Sequence, residues 1–161
     1  MYIRADVSEL FEMCSDNYYP VHVVKHKYEP TNKKKMDGKE QHAYPRKNWS
    51  SLIMFNCGHE CNQKLTPQEV NTKSGRWLHT FNWLPEKESD IGTIPEEWNW
   101  LDNHSSADIE AKNVHFTTGG PWFKKWGSKR DIDNKYAIEW SNDAQWLQMQ
   151  GILDVNKDYM I

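Results

Sequence analysis

A run of four apolar residues constrains the fold more than any other feature of this sequence. The run consists of Leu52, Ile53, Met54 and Phe55, inside residues 48–56. A strand with one face in water alternates apolar and polar side chains, whereas a continuous apolar run is typical of a strand covered on both faces. The run therefore predicts an α/β fold, in which residues 48–56 form a buried strand of a mixed sheet flanked by helices.

Aromatic side chains supply much of the apolar surface. Of the 161 residues 37% are hydrophobic, which is low for a globular protein, yet they include 9 Trp, 7 Tyr and 5 Phe. Such rings are unusual in disordered segments, so a folded chain of about one domain's length is expected. The formal net charge is −3, from 20 basic and 23 acidic residues. This mixed balance gives no global positive field and argues against nucleic acid as a partner.

The sequence also argues against a membrane-spanning protein and against a secreted one. No stretch approaches the roughly 18 apolar residues of a membrane span, and the first residues lack the basic and apolar regions of a signal peptide. The three cysteines, Cys14, Cys57 and Cys61, are too few and odd in number for a disulfide scaffold. A soluble, cytoplasmic protein is the expectation.

Local signals predict several elements besides the buried strand. A helix is predicted to begin after Asp6 or Ser8, since both are common N-cap residues. Its first buried positions are predicted to be Leu10 and Phe11. The remaining predictions are a strand in residues 18–26 that Pro20 limits to an edge or to a later start, a helix starting at Thr66 and Pro67, a strand in residues 113–117 and a helix in residues 136–150.

The segment that starts at His115 has the residue types of a metal–diphosphate site. An imidazole is a ligand for Mn²⁺-type ions, and Gly119 and Gly120 allow backbone N–H groups to approach an anion. Pro121 and Trp122 would make the exit of this turn rigid. The alternative is a buried histidine at a strand end, followed by an ordinary turn.

Three further segments could bind ligands. Arg46 and Lys47 enter the predicted buried strand, where the guanidinium would suit phosphate or a sugar carboxylate and the ammonium group would act as a point charge. A loop of solvated charges is the alternative. Trp98 and Asn99 have the composition of a sugar-binding surface, although structural Trp is the alternative. Cys57, His59 and Cys61 suggest zinc, but a structural site needs four ligands.

These motifs, taken in order, resemble bacterial and phage glycosyltransferases that are distant relatives of the glycogenin and lipopolysaccharide galactosyltransferase family. The resemblance covers residues 1–126. It rests on the following segments: Tyr44-Pro45-Arg46-Lys47-Asn48-Trp49-Ser50-Ser51, Phe55-Asn56-Cys57, Leu65-Thr66-Pro67, Val70-Asn71, Ile94-Pro95-Glu96-Glu97-Trp98-Asn99-Trp100 and His115-Phe116-Thr117-Thr118-Gly119-Gly120-Pro121-Trp122.

The resemblance implies a GT-A fold and retaining transfer of a hexose from a nucleotide-sugar donor to a glycan or other acceptor, with Mn²⁺ or Mg²⁺ as cofactor. It implies that His115 binds the metal and that Asp90 and Asn48 are catalytic. Trp98 and Asn99 would bind the sugar or acceptor. The residues implied in binding the donor and its phosphates are Gly119, Gly120, Trp122, Lys124, Lys125, Arg46, Lys47 and Ser50.

The sequence departs from the family at its start, because relatives carry an Asp-x-Asp metal motif just before the segment that resembles residues 1–11. Residues 1–126 are therefore predicted to be the C-terminal part of a glycosyltransferase domain, with residues 127–161 as a helical extension. A separately encoded N-terminal half is a predicted partner, and the chain alone is expected to be inactive. The alternatives are a non-catalytic carbohydrate- or nucleotide-binding module and a zinc-stabilised structural protein.

Overall fold

A computed structural model describes residues 1–27, 44–84, 88–117, 119–122 and 134–153 of the chain. These residues form a mixed α/β structure with two small sheets, in agreement with the predicted fold class. The strands are β1 (Tyr2–Ile3), β2 (Val21–Val23), β3 (Ile53–Phe55), β4 (Gly92–Thr93), β5 (Trp100–Leu101) and β6 (Asn113–His115). The helices are α1 (Ser8–Met13), α2 (Pro67–Thr72), α3 (Gly75–His79) and α4 (Lys135–Met149).

One sheet has the strand order β3-β2-β4, so β2 lies at its centre. β2 is antiparallel to β3, with Val21 opposite Phe55, and parallel to β4, with His22 opposite Gly92. All three residues of β2 are buried. β2 begins directly after Pro20, which confirms the later start that the sequence allowed.

The prediction that residues 48–56 form the strand covered on both faces is wrong. β3 is an edge strand with a neighbour on one side only, and Phe55 is 45% exposed. The strand is also shorter than predicted, because Asn48 has a left-handed φ of 65° and a 3-10 turn, Trp49–Ser51, follows it. The apolar run therefore lies in a partly exposed edge strand, and β2 is the central strand of this sheet.

The second sheet has the order β1-β6-β5, with β6 antiparallel to β1 and parallel to β5. Its two faces differ because side chains alternate along a strand. Val114 lies in an apolar cluster with Trp100 and with Tyr136 and Ala137 of α4. By this alternation Asn113 and His115 lie on the other face, where Asn113 is buried and its Nδ2 donates to the carbonyl of Trp98 at 2.9 Å.

α1 packs against the rest of the protein mainly through one buried side chain. Leu10 is buried in a cluster with Val24, Ile94 and Trp98. Phe11, which was also predicted to be buried, is 66% exposed. The reason is geometric, because successive residues of a helix point about 100° apart and the six residues of α1 place a single position against the sheet.

The helices predicted to start at Thr66 and Pro67 and to span residues 136–150 are confirmed. Thr66 Oγ1 accepts a hydrogen bond from Glu69 N at 3.2 Å, and Pro67 is the first residue of α2. α4 begins after Asn134, whose side chain accepts from Tyr136 N at 3.0 Å. No helix in the described ranges is both long and apolar enough to cross a membrane. The division between residues 126 and 127 stays a prediction.

Candidate functional site

A cleft opens at the carboxyl ends of three strands, and we refer to it as the histidine cleft. Because β2 and β4 are parallel, the residues that follow them, 24–27 and 94–96, lie at the same edge of their sheet. Thr93, Leu101 and residues 104–106 complete the lining. The volume is about 490 Å³, which is in the range of small-molecule sites. Ligands of open α/β sheets commonly bind at such ends.

His26 lines the histidine cleft and is half-buried. Its Nε2 lies 3.1 Å from Nδ2 of Asn99. Its main chain is fixed as well, because its carbonyl accepts a hydrogen bond from Nε1 of Trp49 at 2.9 Å. Burial lowers the pKa of His26 to about 4, so that the ring is neutral at physiological pH.

A hydrogen-bonded turn after β5 forms another part of the lining. Leu101 N donates to Ser105 Oγ, and Ser105 N donates to the Leu101 carbonyl, each at 2.9 Å. Trp100 Nε1 donates to the carbonyl of Ser106, also at 2.9 Å. His104 lies in this turn, and burial lowers its pKa. These bonds give this part of the cleft a preformed shape.

The described lining of the histidine cleft has more basic than acidic residues. Lys25 and Lys27 contribute two ammonium groups, and Glu96 contributes one carboxylate. Lys25 Nζ lies 5.9 Å from the ring centroid of Trp49, which contacts the main chain of His26. Among the described lining residues, basic side chains outnumber acidic ones by two to one, which favours anions.

A partly buried chain of hydrogen bonds connects the histidine cleft to the predicted site residues Asn48 and Asn99. Ser51 Oγ donates to the carbonyl of Asn48 at 2.6 Å, and Asn99 Nδ2 donates to Ser51 Oγ at 2.7 Å. The same Nδ2 faces His26. Asn99 is completely buried, and its Oδ1 has no hydrogen-bond partner among the described residues.

Arg46 and Lys47 belong to a strained turn. Arg46 and Asn48 both have left-handed backbones, with φ of 59° and 65°. Arg46 Nη1 donates to the carbonyl of Thr80 at 2.8 Å. Lys47 is only 7% exposed, and its Nζ lies 4.7 Å from the ring centroid of Tyr44. The alternative of a solvated loop is therefore wrong for Lys47, whose side chain is part of the packed structure.

Ser50 and Asp90 lie in 3-10 turns. Ser50 Oγ is 2.7 Å from Nδ1 of His79. Asp90 ends the turn Glu88–Asp90 and accepts from Ser89 Oγ at 3.2 Å. Their catalytic or donor-binding roles were inferred from the resemblance alone. The predicted phosphate-binding residues Lys124 and Lys125 lie outside the described residues.

Trp98, predicted to stack on a sugar, is 0% exposed. Its ring packs in the cluster with Leu10 and Val24, and Lys112 Nζ lies 5.4 Å from the ring centroid. A pyranose needs an open ring face, and this side chain offers none. The alternative of a structural tryptophan describes the observed packing.

His115, the predicted metal ligand, is half-buried, and its Nδ1 has no hydrogen-bond partner in the part of the chain that the structure describes. Burial lowers its pKa to about 4, and the ammonium group of Met1 adds to the effect. Within the described ranges no three His, Cys, Asp or Glu side chains assemble into a metal site. One imidazole is a weak site for Mn²⁺ or Mg²⁺, which prefer oxygen ligands. The metal stays a prediction.

The glycine turn after β6 packs against its own tryptophan. Gly119 has a φ of 100°, and both glycines are buried. A Cβ on Gly120 would lie 2.2 Å from the ring of Trp122, so the ring occupies the space next to this glycine. Trp122 also packs on Phe116, with ring centroids 5.6 Å apart. The binding of a diphosphate at this turn stays a prediction.

The zinc hypothesis finds no support in the geometry. His59 Nδ1 accepts a hydrogen bond from Cys61 N at 3.2 Å, which closes a 3-10 turn. Cys57 is exposed, and the cysteines are free thiols. One nitrogen of the proposed histidine ligand is therefore already engaged by the backbone.

Sequence reasoning missed His26, His104 and the two lysines of the histidine cleft. One signal could have found His26, because it ends the predicted strand in residues 18–26 and ligands bind at strand ends. His104 gave no such signal, since it follows the two-residue strand β5.

No family model matches the chain, and no solved structure matches it. The chain is similar to Protein CDI of Arabidopsis thaliana. The two are 42% identical over 146 residues, which cover 88% of this chain and 53% of Protein CDI. The chain therefore spans about half the length of Protein CDI.

The match to Protein CDI overturns the glycosyltransferase prediction. This name is not that of a glycosyltransferase or of another enzyme, and no family model supports either reading. The function predicted from the ordered motifs, including the implied hexose transfer, is therefore wrong. The GT-A fold and a separately encoded N-terminal half stay predictions.

Proposed function

We propose that this chain binds a small oxyanion, a carboxylate or a phosphate ester, in the histidine cleft. The observation that carries the proposal is the composition of the described lining, which contains Lys25 and Lys27 and one acidic residue, Glu96. Ammonium groups bind oxyanions through charge-assisted hydrogen bonds. A lining of this charge would repel cations and would bind an uncharged polyol only weakly.

Neutral donors in the lining support the same ligand class. The hydroxyl oxygen of Ser105 accepts from Leu101 N, so its hydrogen can donate to a ligand. Thr93 adds a second hydroxyl. His26, being neutral, contributes one ring N–H or one acceptor nitrogen, depending on its tautomer. Several hydrogen-bond donors around a positive centre are typical of oxyanion sites.

A titration followed by amide NMR tests the proposal. Inorganic phosphate, glycerol 3-phosphate and malonate are added separately to the full chain, with sodium chloride, glycerol and choline as controls. We expect saturable shift changes in residues 24–27, 93–96 and 104–106 with the three oxyanions. Comparing the phosphate and malonate arms identifies the preferred oxyanion. The proposal is abandoned if none of the three gives saturable changes in these residues.

The first prediction concerns Lys27, the exposed lysine of the cleft. The Lys27→Gln variant should bind the preferred oxyanion about three- to tenfold more weakly, because one charge-assisted contact is lost. Lys64→Gln is the matched control, since Lys64 is also exposed but lies in another turn, Glu60–Lys64. Equal weakening in both variants would show a general charge effect and contradict a site in the histidine cleft.

A further inference from the structure

The hydrogen bonds that join Asn48, Ser51, Asn99 and His26 have a direction. A carbonyl oxygen can only accept, so in the bond of 2.6 Å the hydroxyl of Ser51 donates to the carbonyl of Asn48. The hydroxyl hydrogen is then used, and Ser51 Oγ accepts in its contact of 2.7 Å with Asn99. The group of Asn99 at this position is therefore its amide nitrogen.

The direction passes from Asn99 to His26. The amide nitrogen of Asn99 has two hydrogens, and after one is given to Ser51 the other points to Nε2 of His26 at 3.1 Å. Nε2 must then accept. A neutral imidazole that accepts at Nε2 carries its hydrogen on Nδ1.

We infer that Asn99 is a positioning residue: anchored by Ser51, it holds His26 in the Nδ1–H form, so that the histidine cleft offers a fixed donor to an oxyanion. The ligand in this inference rests on the proposed function, whereas the tautomer is a property of the protein without ligand. Asn99 suits this role because it is completely buried and bonded to partners on two segments. Burial keeps its amide from turning toward water.

One competing arrangement exists. If the amide of Asn99 is reversed, Oδ1 faces both Ser51 and His26, and the hydrogen of His26 must lie on Nε2. The observed orientation leaves Oδ1 without a partner among the described residues, which is unfavourable for a buried oxygen. The two arrangements place the ring hydrogen on different nitrogens, so a direct measurement separates them.

The measurement is a two-dimensional ¹⁵N NMR spectrum of the histidine rings in the full chain at pH 7.5 without ligand. The His26 signals are assigned by their loss in His26→Gln, or by through-bond transfer in the unmodified chain if that variant does not fold. We expect Nδ1 of His26 to have the chemical shift of a protonated ring nitrogen and Nε2 to have that of an unprotonated one. The reverse pattern overturns the inference.

Two variants test the part played by Asn99 and its anchor. A carboxylate can only accept, so Asn99→Asp should move the hydrogen to Nε2 and weaken phosphate binding about tenfold. Ser51→Ala is milder and should give a mixture of the two tautomers. Ser141→Ala is the matched control, because this α4 hydroxyl bonds the carbonyl of Ala137 and should leave the pattern unchanged. A pure Nδ1–H pattern in both test variants contradicts the inference.

The two proposals fail in different ways. Absence of saturable phosphate and malonate binding overturns the proposed function, although the ring of His26 can still have its hydrogen on Nδ1. An Nε2–H pattern overturns the positioning role of Asn99, although the lysines can still bind an oxyanion. The spectrum without ligand and the titration therefore give independent answers.

Discussion

At the scale of single residues, the molecule is marked by two histidines that burial keeps neutral. The pKa of His26 and of His115 is about 4 in each case, with burial as the main cause. An unfolded chain exposes both rings to water, where the ordinary pKa is about 6.5. Protons therefore bind more strongly to the unfolded chain than to the folded one in the range between these values.

This difference predicts a loss of stability in mild acid. Because the folded pKa values are depressed, the free energy of unfolding should be highest above about pH 6.5 and fall as the pH approaches 4. Discounted for partial exposure, the loss between pH 7 and pH 4.5 should be about 2 to 3 kcal/mol in total. Urea denaturation at several pH values measures it.

The double variant His26→Gln/His115→Gln serves as the comparison. Its unfolding free energy should depend much less on pH between 6.5 and 4.5, because the two rings whose pKa falls to about 4 are gone. Hydrogen bonds lower the pKa of the carboxyl groups of Asp6 and Glu110. Their contribution to the unfolding free energy is therefore lost only at lower pH. An equal slope in both proteins would show that other groups control acid stability.

The residues of the candidate site were only partly predictable. Arg46 and Asn99 were singled out for their chemistry, but the sequence could not show that one bonds Thr80 and the other bonds His26. Asn99 and His26 are 73 positions apart, and only the packing of the strands brings them together. Chemistry can be assigned to a residue type from sequence, whereas its partner depends on contacts between distant segments.

At the scale of elements, the pairing of β2 with β4 depends on a close approach. His22 is buried in β2 and lies opposite Gly92 of β4. A Cβ built on Gly92 would lie 2.1 Å from Cδ2 of His22, far inside van der Waals contact. The parallel register therefore requires a residue without a side chain at this point.

We predict that Gly92→Ala destabilises the protein by about 2 to 3 kcal/mol, because the buried ring of His22 has to move or the two strands separate. Gly58→Ala is the control, since the nearest atom to its added Cβ, Oδ1 of Asn56, is 3.6 Å away. That variant should change stability little. Thermal denaturation of both variants makes the comparison, and an unaltered melting temperature in Gly92→Ala would contradict the steric account.

Helix starts were predictable from sequence because their signals are local. Thr66 and Pro67 act within one turn, and the cap bond to Glu69 is formed between residues three positions apart. The covered strand was not predictable in the same way. Ile53 lies in an edge strand because β2 pairs with β4 on its other side, and strand order depends on contacts between segments far apart in sequence.

At the scale of the whole molecule, Arg4 links three distant segments. Its Nε donates to Glu139 of α4 at 2.6 Å, and its Nη1 donates to Glu110 at 2.9 Å and to the carbonyl of Ala111. The guanidinium also lies 4.7 Å from the ring centroid of Tyr136. A planar group with several donors suits this arrangement, and a lysine could make only part of it.

We predict that Arg4→Lys lowers the unfolding free energy by about 1 to 3 kcal/mol, because a half-buried fork of hydrogen bonds is replaced by a single ammonium group. Lys73→Gln is the control, since its ion pair with Glu69 lies within one exposed helix region. Calorimetry of both variants should show a clear loss for Arg4→Lys alone. Equal melting temperatures would show that α4 does not depend on this residue.

The pairing of β1 with β6 has a consequence for synthesis on the ribosome. Tyr2 and Ile3 pair with residues 113 and 114, about 110 positions later in the chain. At roughly 5 to 20 residues per second, β1 waits on the order of 5 to 20 seconds for its partner to be translated. During that interval the neighbouring apolar side chains are available to chaperones. Slower translation of the intervening codons would lengthen this exposure without changing a single residue of the finished protein.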